Sequence, residues 1–282
     1  MISVTPSRPP TPDDPIGVFD SGVGGLSVVR ALVAQLPQEN LLYVADAAHC
    51  PYGARAPEEI RHLSEGISRY LIAQGAKVVV VACNTASAAA LRHLRETFPQ
   101  TPFVGMVPAV KPAAQLTQSG VVGVLATPIT IGGALYEEVV EQYGVGVRVI
   151  SRACPGLVER VEEGDLDGPA TLELVRDCVT PLLRAGADTL VLGCTHYPFL
   201  IPLLRRLVGD GVHILEPSDA VARQTGRVLG RLGLLRRGGE APWALYTTSG
   251  EPRRLAVAVE RLLGQKADVR QLLWRGDSLG ER

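Results

Sequence analysis

Aromatic residues make up only 5% of the chain, and the two charge signs nearly cancel to leave a formal net charge of -1. That balance offers no electrostatic footprint for nucleic acid or an anionic membrane surface, so a small-molecule partner is expected, with no nucleic acid and no membrane. No apolar run approaches the roughly 20 residues that a bilayer-spanning helix needs. The first fifteen residues hold Pro6, Pro9, Pro10, Pro12 and Pro15 but no apolar core of a signal peptide. Residues 1–14 therefore read as a disordered lead-in, and export is not indicated. Cysteine is sparse too: Cys50, Cys83, Cys154, Cys178 and Cys194 are odd in number and contain no C-x-x-C pair. That argues against a disulfide framework or a zinc ribbon and for reduced thiols in a cytoplasm. The turn Gly22-Val23-Gly24-Gly25 lacks both the G-x-G-x-x-G spacing and the Gly-Lys-Ser/Thr ending of a phosphate loop, which argues against a nucleotide fold.

What is present is a globular chain of 282 residues, 46% apolar and 20% charged, long enough for one large domain or two ordinary ones. From Ile16 onward, short aliphatic runs alternate with longer helical patterns, the signature of an α/β fold with mainly parallel sheets flanked by helices. The runs predict strands over 16–19, 41–44, 78–82, 103–106, 121–125, 147–150, 190–193, 213–215 and 244–247. Leu, Ile and Val recur at helical spacing over 27–35, 57–74 and 171–185.

A weak internal repeat organises these elements. Gly75-Ala76 leads into Val78–Ala82 and Cys83, and Gly186-Ala187 leads into Leu190–Gly193 and Cys194, with the same offset from glycine to cysteine. Residues 16–21 likewise resemble residues 122–127. The expectation is two similar lobes, residues 15–107 with 218–282 and residues 108–217, with the active site in the inter-lobe cleft.

Open parallel sheets present ligand sites beyond the carboxyl ends of their strands, and both cysteines fall there. A single cysteine after an apolar strand is ordinarily inert packing. Two in matching places, each followed by polar groups, point to chemistry. Cys83 precedes Asn84-Thr85-Ala86-Ser87 and an apolar helical pattern, so Asn84 or Thr85 reads as a helix cap. A helix N-terminus also lowers a neighbouring thiol's pKa and offers N–H donors to a carboxylate. Cys194 precedes Thr195-His196-Tyr197-Pro198. A Cys-x-His triplet suggests a metal only with further ligands at usable spacing; none is apparent, so no metal is expected, and His196 reads as a helper of the thiol. Asp20 ends the first strand and enters the glycine-rich turn.

Asp20–Leu26, Pro51-Tyr52-Gly53, Ala82–Ser87 and Gly193–Pro198, in that order, resemble the glutamate racemases within the wider aspartate/glutamate racemase superfamily, over nearly the whole chain after the proline-rich lead. The resemblance implies an isomerase that interconverts L-glutamate and D-glutamate by two-base proton transfer, with no cofactor, in the cytoplasm, as a homodimer that supplies D-glutamate for peptidoglycan. It implies that Cys83 and Cys194 serve opposite faces of the substrate, that Cys194 deprotonates the L-isomer, and that Asp20 assists the first thiol and His196 the second. Glu162, next to Glu163, would be an auxiliary acid. Asp20, Ser21, Tyr52, Gly53, Asn84, Thr85, Thr195 and His196 would bind substrate, with Thr127 and Thr130 as further candidates. Ala45, His49-Cys50 and Ala126 depart from the usual pattern without removing a proposed catalytic residue. The alternatives are an aspartate or hydantoin racemase of the same superfamily, a non-catalytic amino-acid sensor, and a redox protein using the two thiols as a couple.

Overall fold

The computed structural model describes residues 8–281. Eleven strands run through them: β1 (Ile16–Asp20), β2 (Leu41–Ala45), β3 (Val78–Val81), β4 (Phe103–Val104), β5 (Val121–Ala126), β6 (Arg148–Ala153), β7 (Thr189–Gly193), β8 (His213–Leu215), β9 (Ala244–Thr248), β10 (Val269–Arg275) and β11 (Ser278–Glu281). The chain forms two compact units. The first comprises the described residues up to Met106 and those from Ser218 on; the second is Val107–Pro217.

In the first unit the strand order is β11-β10-β9-β2-β1-β3-β4, and only β10 and β11 pair antiparallel. The central strands are apolar on both faces because helices cover both, as a parallel sheet requires; β1, β2 and β3 are buried throughout. The helix Pro57–Ala73 starts with proline and carries Glu58 and Glu59 in its first turn, both favourable at a helix N-terminus. Its Ile60, Leu63, Ile67 and Leu71 fall on one buried stripe. Gly66 in the same helix meets Trp274, where an added Cβ would stand 2.6 Å from the indole ring.

The second unit holds the parallel sheet β6-β5-β7-β8. Val122, Val124 and Ala126 of β5 and Val191 of β7 pack with Val110, Ala113 and Tyr136 to form a core. The helix Pro169–Arg184 connects β6 to β7.

Four differences from the sequence expectations have physical causes. Residues 1–7 of the expected disordered lead-in lie outside the described residues, but from Arg8 the lead is held in place. Asp14 is buried and accepts from Arg8 Nη1 at 2.9 Å and from the Thr11 N–H at 2.6 Å. The Asp13 carbonyl accepts from Asn40 Nδ2 at 2.8 Å, and the Pro12 carbonyl accepts from Lys77 Nζ at 2.5 Å. Prolines lower the entropy lost on ordering this segment, and the buried ammonium needs its carbonyl. β4 stops at Val104 because the Met106 N–H donates to Ser87 Oγ, and Gly105 lies where a Cβ would stand 2.4 Å from Leu91. β6 runs on to Ala153 beside β5. The hairpin of β10 and β11 has no clean apolar alternation, being half exposed, and its register is set by pairing with β9.

Candidate active site

β1 and β3 are parallel neighbours, with Phe19 opposite Val81, so Asp20 and Cys83 leave the sheet at the same edge. Asp20 is fully buried. Its Oδ1 accepts from the Ser21 N–H at 2.8 Å and its Oδ2 from the Gly25 N–H. A Cβ on Gly25 would stand 2.7 Å from Asp20 Cβ and 2.9 Å from the Tyr43 hydroxyl, so only glycine lets the turn wrap this carboxylate. The glycine-rich turn thus serves close approach, and Gly22, Gly24 and Gly25 all keep negative φ.

Cys83 itself occupies the N-cap of the helix Asn84–Thr97, with φ -143° and ψ 120°, and its Sγ accepts from the Ala86 N–H at 3.4 Å. The expected cap at Asn84 or Thr85 is therefore corrected: both lie in the first helical turn, because the thiol already takes the capping position. A thiol there feels the positive end of a fourteen-residue helix, which favours the thiolate. Ser21 Oγ lies 4.0 Å from the sulfur. Asn84 is buried, and neither its amide oxygen nor its amide nitrogen has a hydrogen-bond partner. An unsatisfied buried amide is costly unless a polar ligand completes its hydrogen bonds.

Tyr52 and Gly53 lie in the short turn Tyr52–Ala54. The Tyr52 hydroxyl donates to Asp46 Oδ2 at 2.6 Å, and Asp46 also accepts from Ser249 Oγ at 2.6 Å, Trp274 Nε1 at 2.8 Å and His49 Nδ1 at 3.1 Å. Burial pushes the Asp46 carboxyl up, but these four bonds together hold it below the usual range. Burial drives the Tyr52 phenol well above its ordinary value, with Asp46 next and smaller contributions from Cys83 and Asp20. Asp46 as the anchor of Tyr52 is a feature that sequence reasoning missed.

In the second unit Ala126 of β5 lies opposite Gly193 of β7, so Thr127 and Cys194 leave that sheet side by side. Cys194 Sγ lies 3.7 Å from His196 Nδ1, and His196 Nε2 lies 2.6 Å from Glu162 Oε1. Cys194, Thr195 and His196 are all buried. Glu162 closes the helix Leu157–Glu162. Glu163 turns to Arg160 instead, 3.0 Å away, and is 58% exposed, so Glu162 alone of the two faces the histidine. Thr127 and Thr130 occupy each other: their hydroxyls are 3.0 Å apart, and Thr127 Oγ1 caps the next helix by accepting from the Thr130 N–H at 3.3 Å. A carboxylate holding one imidazole nitrogen leaves the other aimed at the thiol, an arrangement suited to moving a proton at sulfur.

Each unit therefore ends a central strand on a buried thiol with its own polar attendants. The sequence profile of the Asp/Glu/Hydantoin racemases matches residues 16–225. A glutamate racemase of Roseiflexus sp. (strain RS-1) is 56% identical over 249 residues, 88% of this chain and 92% of that protein. A glutamate racemase of Pseudomonas aeruginosa is 49% identical over 258 residues, covering 92% of this chain and 97% of its own. Among solved structures, a glutamate racemase isoform of Bacillus anthracis aligns with a TM-score of 0.84 at 33% identity over 94% of this chain and 98% of that one. The Escherichia coli glutamate racemase, solved with L-glutamate and an activator, aligns with a TM-score of 0.79 at 30% identity over 93% and 100%. The chain belongs to the Asp/Glu/Hydantoin racemase family, and within it to the glutamate racemases.

Proposed function

We propose that this protein interconverts L-glutamate and D-glutamate, with Cys83 and Cys194 as the two proton-transfer groups. The observation that carries the reading is the unlike surroundings of two matched thiols: a helix N-terminus with the unpartnered Asn84 amide at Cys83, and the imidazole–carboxylate pair at Cys194.

Inversion without a carbonyl cofactor calls for removing the α-proton from one face and returning a proton to the other. In the L to D direction the Cys194 thiolate takes the α-proton, the electron pair spreads into the α-carboxylate, and the Cys83 thiol delivers its proton to the opposite face. The reverse direction exchanges the roles. A free thiol has a pKa of about 8.5; the helix terminus favours the thiolate at Cys83, and His196 stands 3.7 Å from the Cys194 sulfur to take or return its proton. General acid–base action contributes roughly 10² to 10⁴ in rate, too little for so weak a carbon acid. Preorganised donors on the carboxylate supply the rest: Ser21, Asn84, Thr85 and Thr195, with the backbone around Tyr52 and Gly53. Asp20 braces the turn that carries Ser21, and Glu162 fixes the His196 tautomer.

We place the enzyme in the cytoplasm as a homodimer that supplies D-glutamate to peptidoglycan synthesis. None of the five cysteines among the described residues is in a disulfide, which supports a reducing compartment. Among the described residues no helix is long and apolar enough to cross a membrane. The test is to incubate the protein with L-glutamate in heavy water without added cofactor, following optical inversion and α-deuteration together. Two bases predict that early product carries solvent deuterium while remaining substrate does not. Faster turnover of aspartate would overturn the substrate assignment, and binding without α-exchange would leave a sensor.

A further inference from the structure

Asp46 follows β2 at the carboxyl end of the first unit's sheet, where Asp20 and Cys83 also leave it. Ala45 lies opposite Thr248 of β9, and Thr248 opposite Gln271 of β10. β10 runs on to Arg275, so Trp274 stands beyond its pairing with β9 and reaches back over the same end of the sheet. Its indole Nε1 donates to Asp46 Oδ1 at 2.8 Å across 228 residues of sequence.

A fully buried carboxylate needs its lone pairs filled, and the donors on Asp46 come from two directions. Tyr52 and His49 belong to the loop after β2, with the Tyr52 hydroxyl on Oδ2 at 2.6 Å. Ser249 and Trp274 come from the late strands and hold Oδ1. The indole is the stiffest of these donors. One edge of its ring seats on Gly66, where an added Cβ would stand 2.6 Å away, and the His49 ring meets it edge-on with centroids 5.5 Å apart. A planar donor wedged in this way sets the orientation of the carboxylate that receives Tyr52. The turn Tyr52–Ala54 in its turn packs against the helix that Cys83 caps. Tyr52 itself keeps its proton, because burial first and Asp46 next drive its phenol well above the ordinary value. Its part is to shape the turn, not to exchange protons with substrate.

We propose that Trp274 is a positioning residue for substrate binding: through Asp46 it holds the turn Tyr52–Ala54 in the conformation that takes a substrate carboxylate. This deepens the glutamate racemase reading and rests on it for the identity of the ligand. The C-terminal hairpin is then part of the binding apparatus, although no residue of it touches substrate in this scheme.

The chain has two tryptophans, and the second, Trp243, is 46% exposed. A Trp243→Phe protein therefore serves as the control, and in that background Trp274 is replaced by benzothienylalanine, which keeps the shape of indole and puts sulfur in place of the N–H. Glutamate kinetics, Tm and hydrogen exchange of residues 46–56 are measured on both. Loss of one hydrogen bond's worth of support is expected to raise KM about tenfold. With kcat within about twofold of the control, the change is one of ligand holding and not of proton transfer. Exchange over 46–56 should quicken while Tm stays at the control's value. Trp274→Phe, which also shortens the ring, should show the same rise in KM. An unchanged KM overturns the proposal, as does an earlier melt with slower kcat and the control's KM, which would make Trp274 a residue of stability alone. Unchanged exchange over 46–56 overturns the route through Asp46. A folded control that does not racemise glutamate, while the replacement still quickens exchange over 46–56, leaves the brace on the turn standing and rejects the racemase reading instead.

Discussion

Glu162 and Glu163 are adjacent in sequence and opposite in surroundings, one against a buried imidazole and the other exposed beside Arg160. Glu162→Gln keeps the shape but removes the charge that holds His196, so kcat is expected to fall on the order of 10²-fold, the size of one acid–base contribution. Glu163→Gln is expected to be nearly silent, since exposed ion pairs contribute little. Steady-state rates of the two variants decide it, and equal losses would reject the assignment. Asn84 gives a second residue-scale test. Its amide is unsatisfied in the free protein, so Asn84→Ala removes a group whose burial costs about 1–3 kcal/mol and should leave Tm unchanged or higher. Loss of one ligand hydrogen bond should raise the glutamate KM about tenfold. A variant that melts much earlier with unchanged KM would make Asn84 a structural residue. The places of Cys83 and Cys194 at strand ends were legible because aliphatic runs and their glycine offsets mark strand termini. The choice of cap was not, because Cys83, Asn84 and Thr85 are consecutive and only the backbone angles decide which one turns the chain.

At the scale of elements, strands with unbroken apolar runs were legible and those defined by partners were not. β3 is four valines and reads directly, whereas β10 mixes Arg270, Gln271, Trp274 and Arg275 and depends on β9 for its register. Connections between elements also rest on contacts that no local pattern announces. Asp188, just before β7, ties down the loop before β5 by accepting from Thr117 Oγ1 at 2.5 Å and from the N–H groups of Gln118 and Ser119 at 2.7 Å. Burial raises its carboxyl, but the Thr117 hydroxyl, the Ser119 and Gln118 N–H groups and the Thr189 hydroxyl hold it well below the usual range. A carboxyl depressed in the folded state stabilises above its unfolded pKa, near 4, and loses that contribution as pH falls through the folded value. Asp188→Asn is therefore expected to lower Tm at pH 7, by an amount equivalent to about 1–2 kcal/mol, with the gap closing in strong acid. Thermal melts of both proteins from pH 7 to pH 2 check this, and a gap that does not depend on pH would refute a charge-based role.

For the molecule as a whole, the two ends of the first unit's sheet divide their tasks. The carboxyl end carries Asp20 and Cys83; at the amino end, four distant stretches of chain converge on one buried ion pair. Lys77 precedes β3 and Glu39 precedes β2, and their side chains, 0% and 2% exposed, bond to each other. Lys77 also reaches the Pro12 carbonyl, and Glu39 Oε1 accepts from the Arg236 N–H at 2.9 Å. The sequence hides this knot because a lysine beside a strand ordinarily reads as a solvated flank, and its partner lies 38 residues away. Removing one member of a buried pair strands the other charge, so Lys77→Met is expected to cost about 3–5 kcal/mol in denaturant unfolding. Removing both charges leaves neither stranded. The double variant Lys77→Met with Glu39→Gln should therefore lose less than the sum of the single losses, a coupling that a double-mutant cycle reads directly. Because the pair lies at the amino end of the strands, the folded fraction of each variant should keep the parent's kcat and KM. Strictly additive losses would mean that the two charges act separately, and a changed kcat in folded protein would mean that the sheet's two ends are not independent.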